Sequence, residues 1–152
     1  IEDVLQSPMI CDPLHLLDCC LVTDGAGAVV VVSPERAKDC KKPPVWLLGF
    51  GEANSHYSIQ AMPDLTVTSA AESGKRAFEM AGVTHDDIDV VEIYDSFTIT
   101  VLLTLESLGF CKPGEGGDFV SNQRTAPGGD FPMNTNGGGC RTPIPECTGF
   151  SS

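Results

Sequence analysis

Three polar residues, Tyr94, Asp95 and Ser96, sit between the run Asp89-Val90-Val91-Glu92-Ile93 and Phe97, which opens an apolar pattern of helical spacing. Their types can do chemistry. A phenol with a pKa of about 10 can donate to a developing oxyanion or shuttle a proton from a hydroxyl. It cannot replace an imidazole as a base at neutral pH unless its pKa is lowered. Their position matters as much as their type. A β-branched run followed by a helix is a strand that delivers Tyr94, Asp95 and Ser96 to its carboxyl end, where open α/β sheets place their ligands. Asp95 or Ser96 also has the chemistry of an N-cap for the following helix. The two roles are compatible, because a cap fixes where its neighbour Tyr94 points.

The flanking pattern predicts the elements that hold this strand end. Residues 20–32 read as an extended segment whose last four valines are β-branched on both faces, which is the signature of a buried central strand. Gly25-Ala26-Gly27 precedes the apolar run, whereas a dinucleotide loop follows its strand, so these small residues are expected to admit a neighbouring backbone. Ser33 and Pro34 start a short helix. Residues 41–44 turn, and 45–53 form a second strand. Residues 54–68 are an irregular surface loop. Helical spacing runs from Ser69 to Ala81 with Gly82 after it, and from Phe97 to Leu108 with Gly109 after it. The turn 85–88 leads into the strand ending at Tyr94. The order is β-α-β-α-β-α, an α/β fold. Glycine recurs from Gly114 to Gly139, and such loops lie over active sites more often than they form cores.

Bulk properties narrow the function. The 152 residues suffice for one core of ordinary size. A net charge of -12 repels phosphate backbones and anionic lipid heads, which argues against nucleic acid and membrane surfaces as partners. The pairs Lys41–Lys42 and Lys75–Arg76 read as solvated surface. Seven cysteines is an odd count, with Cys19 and Cys20 adjacent and no C-x-x-C. Cys11, Cys40 and Cys111 read as small core fillers. Cys140 and Cys147 have no histidine near them, so no metal site is expected. The cysteine pattern fits a reducing, cytoplasmic compartment. There is no signal peptide and no apolar run long enough to span a bilayer.

Several motifs together carry a family resemblance. They are Asp12-Pro13-Leu14-His15-Leu16-Leu17-Asp18-Cys19-Cys20, Thr23-Asp24-Gly25-Ala26-Gly27-Ala28 and Glu92-Ile93-Tyr94-Asp95-Ser96-Phe97. Leu105-Glu106-Ser107-Leu108-Gly109-Phe110-Cys111, Gly114-Glu115-Gly116-Gly117 and Pro132-Met133-Asn134-Thr135-Asn136-Gly137-Gly138-Gly139 follow in order. The chain resembles the C-terminal half of thiolase-superfamily proteins, in the sterol-carrier-protein/lipid-transfer-protein branch. The resemblance covers about residues 1–139 and implies a partial thiolase-like fold, a layered mixed sheet with helices. Residues 1–55 would be the closing strands of the N-terminal half, 60–139 the opening part of the C-terminal half, and 140–152 an irregular tail.

Thiolases of the biosynthetic and degradative types carry Asn-Glu-Ala-Phe at this strand end, and sterol-carrier thiolases carry His-Asp-Cys-Phe. Tyr94-Asp95-Ser96-Phe97 resembles the aldolase-type branch, which cleaves carbon–carbon bonds in acyl-CoA thioesters of steroid side chains by retro-aldol chemistry. The resemblance thus makes Tyr94 catalytic and Asp95, Ser96, Asn134, Gly137 and Gly138 supporting residues. It implies coenzyme A thioester as substrate rather than a bound cofactor, a homodimer, and a small OB-fold/zinc-ribbon acyl-CoA-binding partner. Missing strands would leave sheet edges and helix faces exposed, which points the same way.

Two departures stand out. None of the seven cysteines matches the family's nucleophile motif, which belongs to the N-terminal half. The family's histidine-proline-glycine loop is also replaced by Cys140-Arg141-Thr142-Pro143-Ile144-Pro145-Glu146-Cys147-Thr148-Gly149. Back-translated from the third base of the Gly139 codon, this tail can encode Leu-Ser-Tyr-Thr-His-Pro-Gly-Met-Tyr-Gly-Leu. A one-base loss in the codons of Gly137 to Gly139 is therefore expected, and an intact reading frame into Cys140 would exclude it. Three functions follow: an acyl-CoA carbon–carbon lyase in the full-length form, a thiolase-type acetyl-CoA acyltransferase, and a non-catalytic fragment that binds a partner or lipid.

Overall fold

Helices α3 (Ala70–Ala81) and α4 (Thr98–Leu108) form where the apolar spacing predicts them, following α1 (Glu2–Gln6) and α2 (Pro34–Ala37). The structure, a computed structural model, describes residues 1–22 and 24–141. Both long helices stop at a glycine in the left-handed region, Gly82 at φ 68° and Gly109 at φ 85°, whose N–H reaches back into the last turn. They pack closely because Gly74 has no side chain; a β-carbon there would fall onto Leu108. Leu105 is fully buried and anchors a core with Val91, Ile93, Val101 and Phe131.

A chain of rings ties the helix ends to the glycine-rich stretch. His85 stacks on Phe78 at 4.7 Å, and its Nε2 donates to the Leu108 carbonyl at 2.7 Å. Since a carbonyl only accepts, Nε2 carries the proton. Phe110 meets His85 and Phe131 edge-on, each at 5.0 Å, and Phe119 meets Phe131 at 5.1 Å. The Arg124 guanidinium lies 4.1 Å over Phe119. Helix α5 (Gly116–Phe119) and helix α6 (Gly138–Arg141) punctuate this stretch.

The strands differ from expectation. The described residues of 20–32, 45–53 and 88–94 carry no sheet ladder. Among the described residues the mixed sheet is reduced to an antiparallel hairpin of β1 (Met9–Cys11) and β2 (Leu14–His15), an antiparallel bridge Cys19–Phe97 and a parallel bridge Val91–Met133. Val30 is 89% exposed, and Val29 and Val31 match it. The reason is non-local. A run that is apolar on both faces is buried only between neighbouring strands, and no described residue pairs with it. Segment 45–53 approaches α3 only at its glycines. A β-carbon at Gly49 or Gly51 would fall onto the carbonyl of Ala77 or Ser73, while Val45 to Leu48 and Phe50 are exposed. The expected close backbone approach thus occurs here and not at Gly27, which has nothing within 4 Å of a modest β-carbon.

Smaller corrections have local causes. Cys11 and Cys40 are exposed and not core fillers; Cys111 alone of the three packs against the core, and burial with nearby Glu106 raises its thiol pKa. Helix α2 has Pro34 in its first turn as expected, but Ser33 makes no side-chain cap bond. Of the tail expected to be irregular, Cys140 and Arg141 belong to α6, and 142–152 lie outside the described residues. No helix among the described residues is long and apolar enough to cross a membrane.

Candidate functional site

The segments 91–95 and 132–134 run side by side toward the site. Val91 N–H donates to the Pro132 carbonyl at 3.0 Å, and Asn134 N–H donates to the Val91 carbonyl at 2.9 Å. One step further the Asn134 side chain takes over. Its Nδ2 donates to the Ile93 carbonyl and its Oδ1 accepts from Ile93 N–H, both at 2.8 Å. The carboxamide replaces a peptide group and satisfies both backbone groups of Ile93 beside the core. Asn134 sits at φ 49°, a left-handed conformation that asparagine tolerates better than most residues.

Asp95 comes next and is only 8% exposed. Its Oδ1 accepts from Gly139 N–H at 2.6 Å and its Oδ2 from Cys140 N–H at 3.0 Å, in the first turn of α6. The Cys140 thiol donates back to the Asp95 carbonyl at 3.0 Å. Gly138, at φ 60°, has no room for a side chain: a β-carbon would fall onto Asp95 Oδ2. Gly137 N–H donates to the Asn134 carbonyl at 2.9 Å, closing the turn between the two anchors.

This geometry corrects the expected caps. Phe97 occupies the cap position of α4 with no side-chain cap bond, so neither Asp95 nor Ser96 caps that helix. The Asp95 carboxylate is taken by two backbone amides of α6 instead. The Ser96 hydroxyl pairs with Thr100 Oγ1 at 3.2 Å, and the Ser96 carbonyl accepts from Cys20 N–H at 3.0 Å.

Of the residues expected at the site, Asp95, Asn134 and Gly137 are brought together on a cleft of about 570 Å³ with Cys140, Thr98, Thr125 and the apolar Val101, Leu102 and Met133. Gly138 lies against Asp95 at its edge. Tyr94 does not line this cleft. It is 76% exposed between the buried Ile93 and Asp95, and so stands on the opposite face of the segment.

Electrostatics constrain what the cleft can do. Burial, and then the nearby Asp95 charge, pushes the Cys140 thiol up to about 11, so it stays protonated at neutral pH and is no nucleophile there. Asp18 is held below the usual carboxylate range by His15 N–H and then by the Thr98 hydroxyl, which donates to Asp18 Oδ1 at 2.8 Å. That contact ties the N-terminal hairpin to the start of α4. The spacing His15-x-x-Asp18 is that of a reciprocal cap and was legible locally. The partners of Asn134, Asp18 and Cys140 across the fold were not. No group of three or more His, Cys, Asp or Glu placed to hold a metal occurs among the described residues.

Residues 51–150 match the thiolase C-terminal domain-like family. The chain belongs to that family. An acetyl-CoA acetyltransferase of Methanothermobacter thermautotrophicus is 37% identical over 139 residues, covering 91% of this chain and 36% of the relative. A steroid side-chain-cleaving aldolase of Thermomonospora curvata is 39% identical over 143 residues, covering 91% and 37%. The solved Ltp2-ChsH2(DUF35) aldolase superposes with a TM-score of 0.85 at 38% identity, over 94% of this chain and 39% of that one. The chain thus spans little more than a third of the length of the relatives it matches, and its α/β fold is a partial thiolase-like one. The expected membership of the thiolase superfamily holds. In this family setting the Asn134 and Asp95 contacts are what bind the glycine turn to the extended segment that carries Tyr94.

Proposed function

We propose that the full-length form of this thiolase-like protein is a retro-aldol carbon–carbon lyase acting on a β-hydroxyacyl-CoA thioester, with Tyr94 as its proton-transfer residue. The observation that carries the reading is Tyr94 itself. It is an open phenol on a segment fixed at Ile93 by Asn134 and at Asp95 by α6. The β-hydroxyl loses its proton, the bond between the α and β carbons breaks, and its electron pair passes into the thioester as an enolate. Protonation of the α carbon completes the products, a ketone or aldehyde and a shortened acyl-CoA. Tyr94 serves by donating to the oxyanion or relaying the hydroxyl proton. Asp95, Ser96, Asn134, Gly137 and Gly138 support it by holding backbone geometry. Two of the relatives reported above are named aldolases, which favours this reading.

Coenzyme A enters as part of the substrate. The exposed valine run and the exposed apolar residues Val45 to Leu48 favour a homodimer or a small OB-fold/zinc-ribbon acyl-CoA-binding partner, and the free described cysteines favour the cytoplasm. We read the chain of 152 residues as inactive by itself, because the described residues offer no activated nucleophile for acyl transfer and the tail, read as frameshifted, replaces the family's histidine-proline-glycine loop. The decisive experiment restores the full-length frame and makes Tyr94→Phe. Turnover of a β-hydroxyacyl-CoA should fall by about 10²–10⁴-fold. Unchanged ketone or aldehyde release would remove Tyr94 from the mechanism. The similarity to an acetyl-CoA acetyltransferase supports a second reading, thiolase-type acyl transfer; acetoacetyl-CoA cleavage that needs free coenzyme A, with no release of aldehyde or ketone, would favour it.

A further inference from the structure

We infer that Asp95 is a positioning residue that locks the glycine turn to the extended segment 91–95 and thereby sets the direction of Tyr94, and that it does so through backbone amides alone. Asp95 is the buried charged residue among the described residues, and its carboxylate spends one oxygen on Gly139 N–H and the other on Cys140 N–H. A buried carboxylate left without such donors is costly, so the turn has one seating that satisfies it. The glycine turn is tied to the same segment a second time, two residues earlier, by Asn134 on Ile93. Tyr94 lies between these two ties. The backbone on either side of it cannot rotate without breaking one of them.

The donors are peptide N–H groups, so the lock does not depend on the side chain at position 140. Only the thiol bond from Cys140 to the Asp95 carbonyl does. A change of reading frame after Gly139 would therefore leave the lock in place. The close seating also explains why Gly138 admits no side chain, since a β-carbon would displace Asp95 Oδ2.

The positioning of Tyr94 rests on the lyase reading; the lock itself does not. The test therefore has two readouts on the full-length protein with Asp95→Asn, whose amide cannot accept from both N–H groups through its nitrogen. Hydrogen exchange of the peptide spanning 137–141 should accelerate by about tenfold or more, with the α4 peptide unchanged. The kcat should fall by about 10²-fold with KM held within about twofold, because a small misplacement of a catalytic group costs that much. In a Tyr94→Phe background the same substitution should cost no further turnover, since its effect acts through the phenol. Unchanged exchange over 137–141 overturns the lock. Faster exchange with a kcat loss that persists in full on the Tyr94→Phe background overturns the positioning role. If Tyr94→Phe by itself leaves turnover intact, the lyase reading falls and the lock is judged on exchange alone. Should Asp95→Asn fail to fold, Gly138→Ala breaks the same contact from the other side and must give the same local exchange and the same kcat loss.

Discussion

Residues 84–141 and residues 20–53 contain similar apolar runs and meet different fates. In the first region Val91 and Ile93 are buried, each backbone group of Ile93 is bonded to Asn134, and rings from α3 to Phe131 close over the core. In the second, Val29 to Val31 and Val45 to Leu48 are open to solvent. The residues of 20–53 have the stronger strand composition. What they lack is partners. Burial of a β-branched run is a property of its neighbours, and 91–93 finds one in 132–134 without becoming a regular ladder. The lesson is that the site is built on the region whose contacts close within this chain.

The sharpest way to break the contrast is in the core. Leu105 is fully buried in the core with Val91, Ile93, Val101 and Phe131, so Leu105→Ala should cost about 2–5 kcal/mol through lost transfer energy and a cavity. Urea unfolding followed by the far-ultraviolet signal checks it. A loss under about 1 kcal/mol would mean that the core around α4 is far looser than its packing implies.

Asn134 should come next. Asn134→Ala removes both bonds to Ile93 and leaves a donor and an acceptor unpaired, at about 1–3 kcal/mol per stranded group where water cannot reach. The Ile93 amide should lose its exchange protection while Leu105 keeps its own. Retained protection at Ile93 would show that the carboxamide is not what holds the segment.

Much of this was legible before any coordinates, and the remainder has a common cause. The helices announce themselves locally: Ser33-Pro34 at the start of α2, apolar spacing through α3 and α4, Gly82 and Gly109 after them. The motif Tyr94-Asp95-Ser96 was rightly placed just before a helix, while the strand expected to deliver it is reduced to the single Val91–Met133 bridge. Its partners were not readable. Asp95 is bonded 44 and 45 residues downstream, not within its own helix, and Asn134 is bonded 41 residues upstream. Local cap chemistry assigned Asp95 to α4 because nothing in its neighbourhood reveals the competing amides of α6. The failure of the strands has the same origin, since pairing is non-local while propensity is local.

A smaller effect ties the N-terminal segment to the first region through pH. His15 N–H and the Thr98 hydroxyl lower the pKa of Asp18 in the folded chain. Its contribution is therefore complete above the ordinary carboxylate value of 3.8 and is lost as pH falls through the lower, folded value. Asp18→Asn should reduce stability at pH 7 slightly, and its difference from the parent should shrink as the solution is acidified below about pH 4. Thr98→Val should remove only part of it, because the His15 amide is the larger cause. A difference between Asp18→Asn and parent that stays constant from pH 7 to pH 3 would mean that the carboxylate makes no folded-state contact of consequence.

The smallest effect is the most telling about the contrast. Val30 is 89% exposed, so Val30→Lys in the 152-residue chain should alter unfolding free energy by no more than about 0.5 kcal/mol. The same change in a full-length form, where a run apolar on both faces can find neighbours, should cost several-fold more, because a buried lysine without a partner is penalised heavily. Equal, small effects in both would mean that 29–32 is surface in the complete protein too, and the difference between the two regions would then lie in the sequence itself. A large loss already in the short chain would mean that the run is covered in solution, and self-association measured by sedimentation would identify a second copy as the cover. The open valines therefore turn a null result into a measurement: the size of the Val30→Lys effect reports how much of this run's burial comes from outside the 152 residues.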